Sequence, residues 1–446
     1  MRDRKALLDR RNASGRGARI VRRSLAVLVF ALAGSGFSAV AQQTDVERLT
    51  ALLEAQQRQI DALRAELEAL RAQDARTTSA QAAQPEQSGP PARTDPTAGL
   101  VLQRRDDGTR VRLMGQINQA VNLADDGSST DLYFVDNDTA GSRIRVEATA
   151  PWGDATLGAV LEAGIIANSS NRVWQQGQRA DDNFTVRHAD LRIRNDAFGQ
   201  LSLGRGSAAA DGKTAYDLSL VSRSIMNAGG VADVAGGLRF TDGSNITRVS
   251  IANAFFAFDG VRMNRVRYDS PLFGSVQASV SAGSDQRWDL ALTAGDAFGS
   301  GRGLSLGDFV VVGGLAIVDP SRDGVDYRLM GSGSIRHEST GLSLTLSAGQ
   351  DKVESGRDPY NLYAKIGYDR RLFAVGDTGF GLDYTYTGHV SGQGDKGESV
   401  GLAVLQRLEP YGIDLYGQWR WYTLDRAVGP RFKDIHLLTV GARWAF

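Results

Sequence analysis

The chain lacks several features that would place it in a familiar class of protein. Its 446 residues include no cysteine, which excludes a disulfide framework, a thiolate nucleophile and a cysteine-ligated metal site. There are four histidines, and their positions show no metal-ligand spacing: His188, His337, His389 and His436. We therefore expect that the protein is not an enzyme and uses neither a cofactor nor a metal.

Long apolar runs are missing as well. Beyond residue 41, no stretch approaches 18 uninterrupted apolar residues, which excludes a transmembrane helix in that part of the sequence. The mean hydropathy is negative, which is too polar for a helical membrane protein. A membrane β-barrel tolerates such polarity because only alternate residues of each strand face lipid.

The first 41 residues are typical of a secretory signal peptide. Residues 1–23 contain nine Lys or Arg and two acidic residues, an uncharged apolar core follows at 25–32, and Ala39-Val40-Ala41 forms a cleavage site. A membrane anchor is the alternative, but the apolar core is shorter than the roughly 20 residues that a span needs. Cleavage would remove nine of 51 basic and two of 51 acidic residues, leaving 42 and 49, a net charge of about −7. This charge argues against nucleic acid as a partner.

The segment between residues 42 and 107 divides into a predicted coiled coil and a predicted linker. In 42–73, four heptads begin at Val46, and seven of their eight seam positions are apolar, with Gln56 as the exception. This narrow stripe favours self-association over a lone amphipathic helix, but leaves the number of associating helices open. Residues 74–107 contain too little apolar content to form a core and predict a flexible linker. The seam residues are Val46, Leu49, Leu53, Gln56, Ile60, Leu63, Leu67 and Leu70.

From residue 108 to residue 446, apolar and polar residues alternate with the period of β-strands. In one clear case, Leu415, Trp419 and Trp421 share one face of a strand, and Asp414 and Arg420 share the other. Sixteen such segments of about ten residues are present, each long enough to cross a bilayer when tilted. Short connections alternate with long polar ones, although 284–286 is short for a loop and 297–307 is long for a turn. The sequence predicts an all-β transmembrane barrel of 16 antiparallel strands.

Aromatic residues are expected on the lipid side of this barrel. In the last strand, Leu438, Val440, Trp444 and Phe446 share the apolar face, whereas Arg443 lies on the other. Aromatic girdles form where lipid meets water, although packing in a soluble core is the alternative for each ring. The residues expected in the girdles are Trp419, Trp421, Trp444, Tyr384 and Tyr386.

Five short motifs occur in order at strand positions of the predicted barrel. They are Gly115-Gln116-Ile117-Asn118, Gly141-Ser142-Arg143-Ile144, Phe198 to Arg205, Arg267 to Pro271 and Val440 to Phe446. Together they resemble the general bacterial porins of Gram-negative outer membranes over about residues 108–446. The resemblance implies a homotrimer in outer-membrane lipid, with a third loop folded into the lumen. It also implies that Phe446 is the C-terminal aromatic read by the barrel-assembly machinery.

By position, the third loop is the connection 206–258, the longest in the sequence. Exposure of its apolar stretches 218–226 and 255–258 to water would be unfavourable, so we expect them to pack against the inner wall. The loop also has the pattern of a hairpin formed by 237–241 and 248–254. If that hairpin joined the wall, the barrel would have 18 strands.

A porin constriction needs charges of opposite sign that face each other across water. The resemblance places its basic side at Arg143 and Arg205, and Arg145 is added because it lies on the same strand face as Arg143. Strict alternation puts Arg205 on the lipid side, so its assignment assumes a local turn of the backbone. The acidic side is expected from the third loop, although the family's short acidic motif is absent. Its candidates are Asp211, Asp217 and Asp233.

Three functions fit these observations. The leading hypothesis is a water-filled outer-membrane channel for passive diffusion of small hydrophilic solutes and ions. A substrate-selective channel for anions, carboxylates or sugars is the first alternative, since several arginines have inward parity. A structural tether, in which a periplasmic coiled coil reaches towards the cell wall, is the second. The inward arginines are Arg145, Arg192, Arg194, Arg328, Arg336, Arg420 and Arg443.

Overall fold

The computed structural model describes residues 100–104, 107–181, 183–284, 287–296, 303–322 and 324–446. The predicted signal peptide (1–41), the predicted coiled coil (42–73) and nearly all of the predicted linker (74–107) lie outside these residues, so those assignments stay predictions. The exception is the end of the linker, where Leu100–Arg104 forms a strand.

Antiparallel strands dominate the described part of the chain. They are β1 (Leu100–Arg104), β2 (Arg110–Asp125), β3 (Thr130–Asp136), β4 (Arg143–Trp152), β5 (Ala155–Ile166), β6 (Asn183–Asn195), β7 (Gly199–Ser207), β8 (Arg239–Thr241), β9 (Ile246–Ser250), β10 (Arg262–Asp269), β11 (Val276–Gly283), β12 (Trp288–Ala294), β13 (Leu304–Leu306), β14 (Phe309–Asp319), β15 (Val325–His337), β16 (Leu342–Val353), β17 (Tyr360–Phe373), β18 (Gly376–Gly388), β19 (Lys396–Leu408), β20 (Ile413–Asp425) and β21 (Ile435–Ala445).

Helical structure in the same residues is short. It consists of the helices α1 (Gly230–Asp233) and α2 (Ile251–Ala254) and the 3-10 turns Asp138–Ala140, Leu220–Arg223 and Glu409–Tyr411. Among the described residues, no helix has the length and apolar character needed to cross a membrane.

The strands close into a barrel because β2 pairs with β21, from Gln116 opposite Ala445 to Asp125 opposite His436. Nineteen strands share this sheet. They occupy 16 wall positions because β3 and β4 share one beside β2, β12 and β13 share one beside β14, and β1 continues the line of β21. The prediction of 16 strands is therefore confirmed. The alternative of 18 is wrong, since β8 and β9 pair with each other outside the wall sheet.

The wall strands have an apolar outer face and, in most of them, a polar inner face. In β16, for example, Leu342, Leu344 and Leu346 are exposed on the outside, whereas Ser343 and Thr345 are buried on the inside. This alternation is the arrangement of a barrel whose outer surface meets lipid. We use "turn end" for the barrel end with the tight connections, such as 153–154 and 196–198, and "loop end" for the other.

The third loop, called L3 here (residues 208–261), fills much of the barrel interior. It builds an apolar core in which Ile225, Phe240 and Phe255 are fully buried, and Tyr363 and Tyr422 of the inner wall pack in the same cluster. Of the two apolar stretches expected to pack against the inner wall, 218–226 lies in this core through Leu220, Val221, Ile225 and Met226, and 255–258 contributes Phe255 to it. Burial of this surface holds the loop inside the barrel.

Polar groups of the inner wall fix the path of L3. Wall hydroxyls donate to loop carbonyls at 2.7–3.0 Å, and Asn122 Nδ2 donates to the carbonyl of Val234 at 2.8 Å. Bonding of the loop backbone by the wall matters because buried carbonyls left without donors are costly. The hydroxyl bonds run from Ser332 to Lys213, from Ser347 to Thr214, from Thr387 to Ala254 and from Tyr422 to Val231.

Candidate pore constriction

A basic strip lies on the inner wall at β4. Arg143, Arg145 and Glu147 alternate with Ile144 and Val146, and this parity points the charged side chains into the lumen. All three charged residues are partly exposed rather than covered. The sequence-based assignment of Arg143 and Arg145 to the lumen agrees with this placement.

A β-bulge in β6 adds a further arginine to the strip. Glu162 of β5 is opposite His188, but the next residue, Ala163, is opposite Val186, so Arg187 is left without a partner in the ladder. The extra residue turns Arg187 inward, where its Nε donates to Glu162. Strict alternation would have placed Arg187 on the lipid side, which is why sequence reasoning missed it.

Arg143, Arg145 and Glu162 border a cavity of about 320 Å³ inside the barrel. Four guanidinium groups line it, three from the wall and one, Arg223, from L3, whereas Glu162 is the acidic residue of the lining. The cavity therefore carries an excess of positive charge. Its lining comprises Met114, Gly115, Gln116, Arg143, Arg145, Glu162, Arg223, Arg443, Ala445 and Phe446.

Ion pairs hold the lining in place without cancelling its charge. Arg145 is 3.3 Å from Glu162, which also accepts from Arg187, so one carboxylate serves two guanidinium groups. Arg443 is fixed by Asp414 at 2.8 Å and donates to Gln116 Oε1 at 3.1 Å. Such pairs orient the arginines. Counted with their partners Arg187, Glu147 and Asp414, the arginines still outnumber the carboxylates by five to three, so the site is net positive.

Arg205, the third arginine assigned to the basic side, does not join it. It lies opposite Ala189 and Asn264, both on the outward face, and its Nε donates to the carbonyl of Val186 at 2.5 Å. The assumed inward turn of the backbone is not present, because Leu203 and Arg205 keep the same parity. We therefore correct this assignment: Arg205 lies on the outer face of β7.

The three aspartates proposed for the acidic side of the constriction are engaged in contacts of L3. Asp211 lies 3.6 Å from Arg262 of β10, and the side chain of Asp217 is buried against Lys365 of β17. Asp233, in α1, accepts from Asn171 Nδ2 at 2.9 Å. None of the three is in the lining of the basic cavity, so L3 presents a cation there, Arg223, where an anion was expected.

Asp233 is in an environment that favours its neutral form. Burial raises the pKa of the Asp233 carboxyl to about 7. The hydrogen bond from Asn171 opposes this rise, and the negative charge of Asp138 adds to it. Asp138 belongs to the 3-10 turn between β3 and β4. Its negative charge disfavours a second negative charge on Asp233 of the loop.

The family model of the Gram-negative porins matches residues 75–427, most of the chain. The chain belongs to this family. It is therefore an outer-membrane porin, a channel for passive diffusion.

The chain is similar to solved structures at low sequence identity. An anion-selective porin from Comamonas acidovorans has a TM-score of 0.52 and 16% identity, covering 76% of this chain and 100% of its own. The outer-membrane-expressed OmpT of Vibrio cholerae has 0.48 and 14%, covering 78% and 100%. The outer membrane channel DcaP of Acinetobacter baumannii has 0.48 and 12%, covering 78% and 100%. Comparison with curated protein sequences gives no match.

The porin carries aromatic side chains on its outer face near both ends of the barrel. Trp419 and Tyr384 are exposed towards the loop end, and Trp421, also there, donates from its indole Nε1 to Asp434 at 3.1 Å. Tyr386 contacts Tyr360 at 6.0 Å between ring centroids, and Trp444 is exposed at the turn end. Further exposed aromatics lie in or next to the turns: Trp152, Phe198, Phe273 and Tyr411.

Phe446 lies at the seam where the porin barrel closes. Its backbone exchanges two hydrogen bonds with Gly115 of β2, at 2.8 and 3.0 Å. A Cβ atom at residue 115 would lie 2.6 Å from the Phe446 ring, so glycine is needed there for the ring to pack. The Trp444 ring adds a contact at 5.1 Å between centroids. The role of Phe446 as an assembly signal stays a prediction.

Proposed function

We propose that this porin favours anions among the small hydrophilic solutes that diffuse through it. The observation that carries the proposal is the basic cavity, in which four arginines meet one glutamate. A net positive lining raises the local concentration of anions and lowers that of cations. The anion-selective porin of Comamonas acidovorans, which has the same fold, is compatible with this preference.

Reversal potentials in a KCl gradient test the proposal. Wild-type porin in planar bilayers should pass chloride more readily than potassium, and Arg143→Gln combined with Arg145→Gln should lower the permeability ratio. A charge about 7 Å from a permeating ion contributes roughly 0.6 kcal/mol in water. We therefore expect a decrease of about fivefold or more for the pair.

Arg205→Gln is the matched control because it removes the same charge from the outer face of the wall. It should leave the permeability ratio unchanged. A wild-type channel that prefers potassium, or a double variant with the selectivity of the control, would contradict the proposal.

We further propose that the porin is a homotrimer with its coiled coil in the periplasm. The support is the heptad pattern of residues 42–73 together with membership of the porin family. Contacts with the barrel-assembly machinery through Phe446, and with the cell wall through the coiled coil, belong to the same proposal, as does the absence of enzymatic activity. Removing residues 42–73 should lower the temperature at which the detergent-solubilised oligomer dissociates, while single-channel conductance stays the same. A monomeric wild-type protein in detergent would refute the trimer.

A further inference from the structure

A second cavity lies at the loop end of the barrel, distinct from the basic cavity. It is a cleft of about 450 Å³ between L3 and three wall connections, the ones that follow β14, β16 and β18. Its described lining combines aromatic, basic and small polar side chains, and none of these residues borders the basic cavity. The lining residues used below are Arg248, Phe256, Phe258, Arg322 and Asp351.

An aromatic ring is held open to solvent in this cleft. The Phe256 side chain is 42% exposed although it follows Phe255, which is fully buried. The amide of Asn361 donates to the carbonyls of both residues, at 3.3 and 3.0 Å, and so fixes the backbone that carries the ring. In this exposure Phe256 differs from the other phenylalanines of L3, Phe240, Phe255 and Phe258, which are buried.

The backbone next to this ring is strained. Phe258 has φ = +56°, a left-handed conformation that a bulky residue rarely adopts. Its ring packs edge-on against Phe256 at 5.1 Å between centroids. The wall makes room for it with Gly349, where a Cβ atom would lie 2.5 Å from that of Phe258. Strain of this kind persists where the surrounding structure enforces it, and it marks functional positions more often than ordinary loops.

The ion pair of Arg328 with Asp351 packs against the two rings. The Arg328 guanidinium lies 5.1 Å from the centre of the Phe256 ring and 5.3 Å from that of Phe258. The same guanidinium binds Asp351 through two bonds, at 2.6 and 3.0 Å, so the two charges cancel. Asp351 is the acidic residue of the cleft lining and is thus already satisfied.

The remaining charge of the cleft is positive. Arg248 and Arg322 are both exposed, and within the described part of the chain neither forms an ion pair. Guanidinium groups bind carboxylates with well-oriented pairs of hydrogen bonds, and they are weakly hydrated compared with ammonium groups. The cleft therefore has two available cations next to an exposed ring.

On the basis of the anion-preferring channel proposed above, we propose that this cleft binds aromatic carboxylates before they pass into the pore. The ring of the solute would pack on Phe256, and its carboxylate would bind Arg248 and Arg322 together. Simple inorganic anions satisfy the arginines but leave Phe256 in water, whereas neutral aromatics leave the arginines without a partner. An aromatic carboxylate matches both features of the cleft.

Block of chloride current by benzoate tests this proposal. Porin in planar bilayers in KCl is titrated with benzoate on both sides, and with acetate and benzyl alcohol, which each lack one half of the benzoate structure. Benzoate should reduce the current at a concentration at least about tenfold below that of either comparison solute, since each missing contact is worth roughly 1–2 kcal/mol. Equal half-blocking concentrations for benzoate and acetate would overturn the proposal.

Variants of the cleft localise the effect. Phe256→Ala and Arg322→Gln should each raise the half-blocking concentration of benzoate by about tenfold. Arg357→Gln is the matched control, because Arg357 is an exposed arginine at the loop end that does not line the cleft. It should change the benzoate value by less than about twofold, since an exposed charge outside the site contributes little.

The two proposals fail in different ways. Arg322 lies outside L3, so Arg322→Gln leaves the packing of the loop intact and keeps the test valid if Phe256→Ala fails to fold. Benzoate block that is equal in Arg322→Gln and Arg357→Gln would refute the cleft. If the reversal potential in KCl still shows anion preference in that case, the proposed channel function stands without it.

Discussion

Two regions of the inner wall share the same strand alternation but use charge differently. On the side covered by L3, Lys365 and Arg420 are completely buried and each meets an aspartate. On the uncovered side, Arg145 keeps about a quarter of its side chain exposed and shares Glu162 with Arg187. The covered charges hold the loop and the wall together, whereas the uncovered charges face the water of the pore. For these charged residues, coverage by L3 determines the role more than the residue type does.

Breaking a charge pair on the covered side should give the largest effect. Arg420→Met leaves Asp383, 2.6 Å away in the wild type, as a buried charge without its partner. Removal of one member of a buried pair costs about 3–5 kcal/mol. The variant barrel should therefore lose its folded migration on detergent gels at a clearly lower temperature than the wild type.

Arg145→Met is the matched change on the uncovered side. The expected loss of stability is below about 1 kcal/mol because the side chain is hydrated and Glu162 keeps Arg187. Equal thermal shifts for the two methionine variants would show that the two regions do not differ as described.

Ion selectivity should change only when a charge on the uncovered side is removed, and the expected effect is intermediate in size. Arg187→Gln removes the guanidinium that the β-bulge turns inward, and we expect the ratio of chloride to potassium permeability to fall by roughly twofold, from one charge near the ion path. Reversal potentials measure this ratio. An unchanged ratio would show that Arg187 does not face the permeating ions.

Asp233 should affect stability through pH rather than through the loss of an ion pair. Its pKa of about 7 in the folded protein lies above that of an unfolded aspartate, near 3.9. The folded state therefore binds the proton more tightly, and its stability gains as pH falls from about 7 towards about 4. The wild-type unfolding temperature should rise between pH 8 and pH 5 by an amount that Asp233→Asn removes. Asp154→Asn, at an exposed turn, should retain the rise, and a pH response shared by both variants would argue against Asp233 as its source.

The sequence predicts the part of this molecule that follows from local periodicity. Sixteen wall positions and the inward direction of Arg143 and Arg145 follow from alternation. Arg187 does not, because a single inserted residue reverses parity and leaves no mark in composition. The break between β3 and β4 is hidden for a similar reason: residues 124–139 look like one polar loop, but 130–136 pair with β2.

The partners of L3 were beyond sequence reasoning. Asp217 has the residue type expected at a constriction, yet it binds Lys365, which lies 148 positions away in the sequence. Arg223 has the opposite charge to that expected, yet it lines the pore. The path of a loop of this length depends on packing against many strands at once, which a local pattern does not contain.

The contacts between L3 and the wall constrain the order in which parts of the barrel fold. The loop precedes β10 in the chain, but its bonds reach Ser332, Ser347, Thr387 and Tyr422, which belong to strands that follow it. Contacts so distant along the chain are slow to form, since the intervening segment has to be closed into a loop first. L3 therefore reaches its final seat only when the later strands are in place. Until then its apolar residues have no wall to pack on, and the nascent protein needs protection from aggregation at this segment.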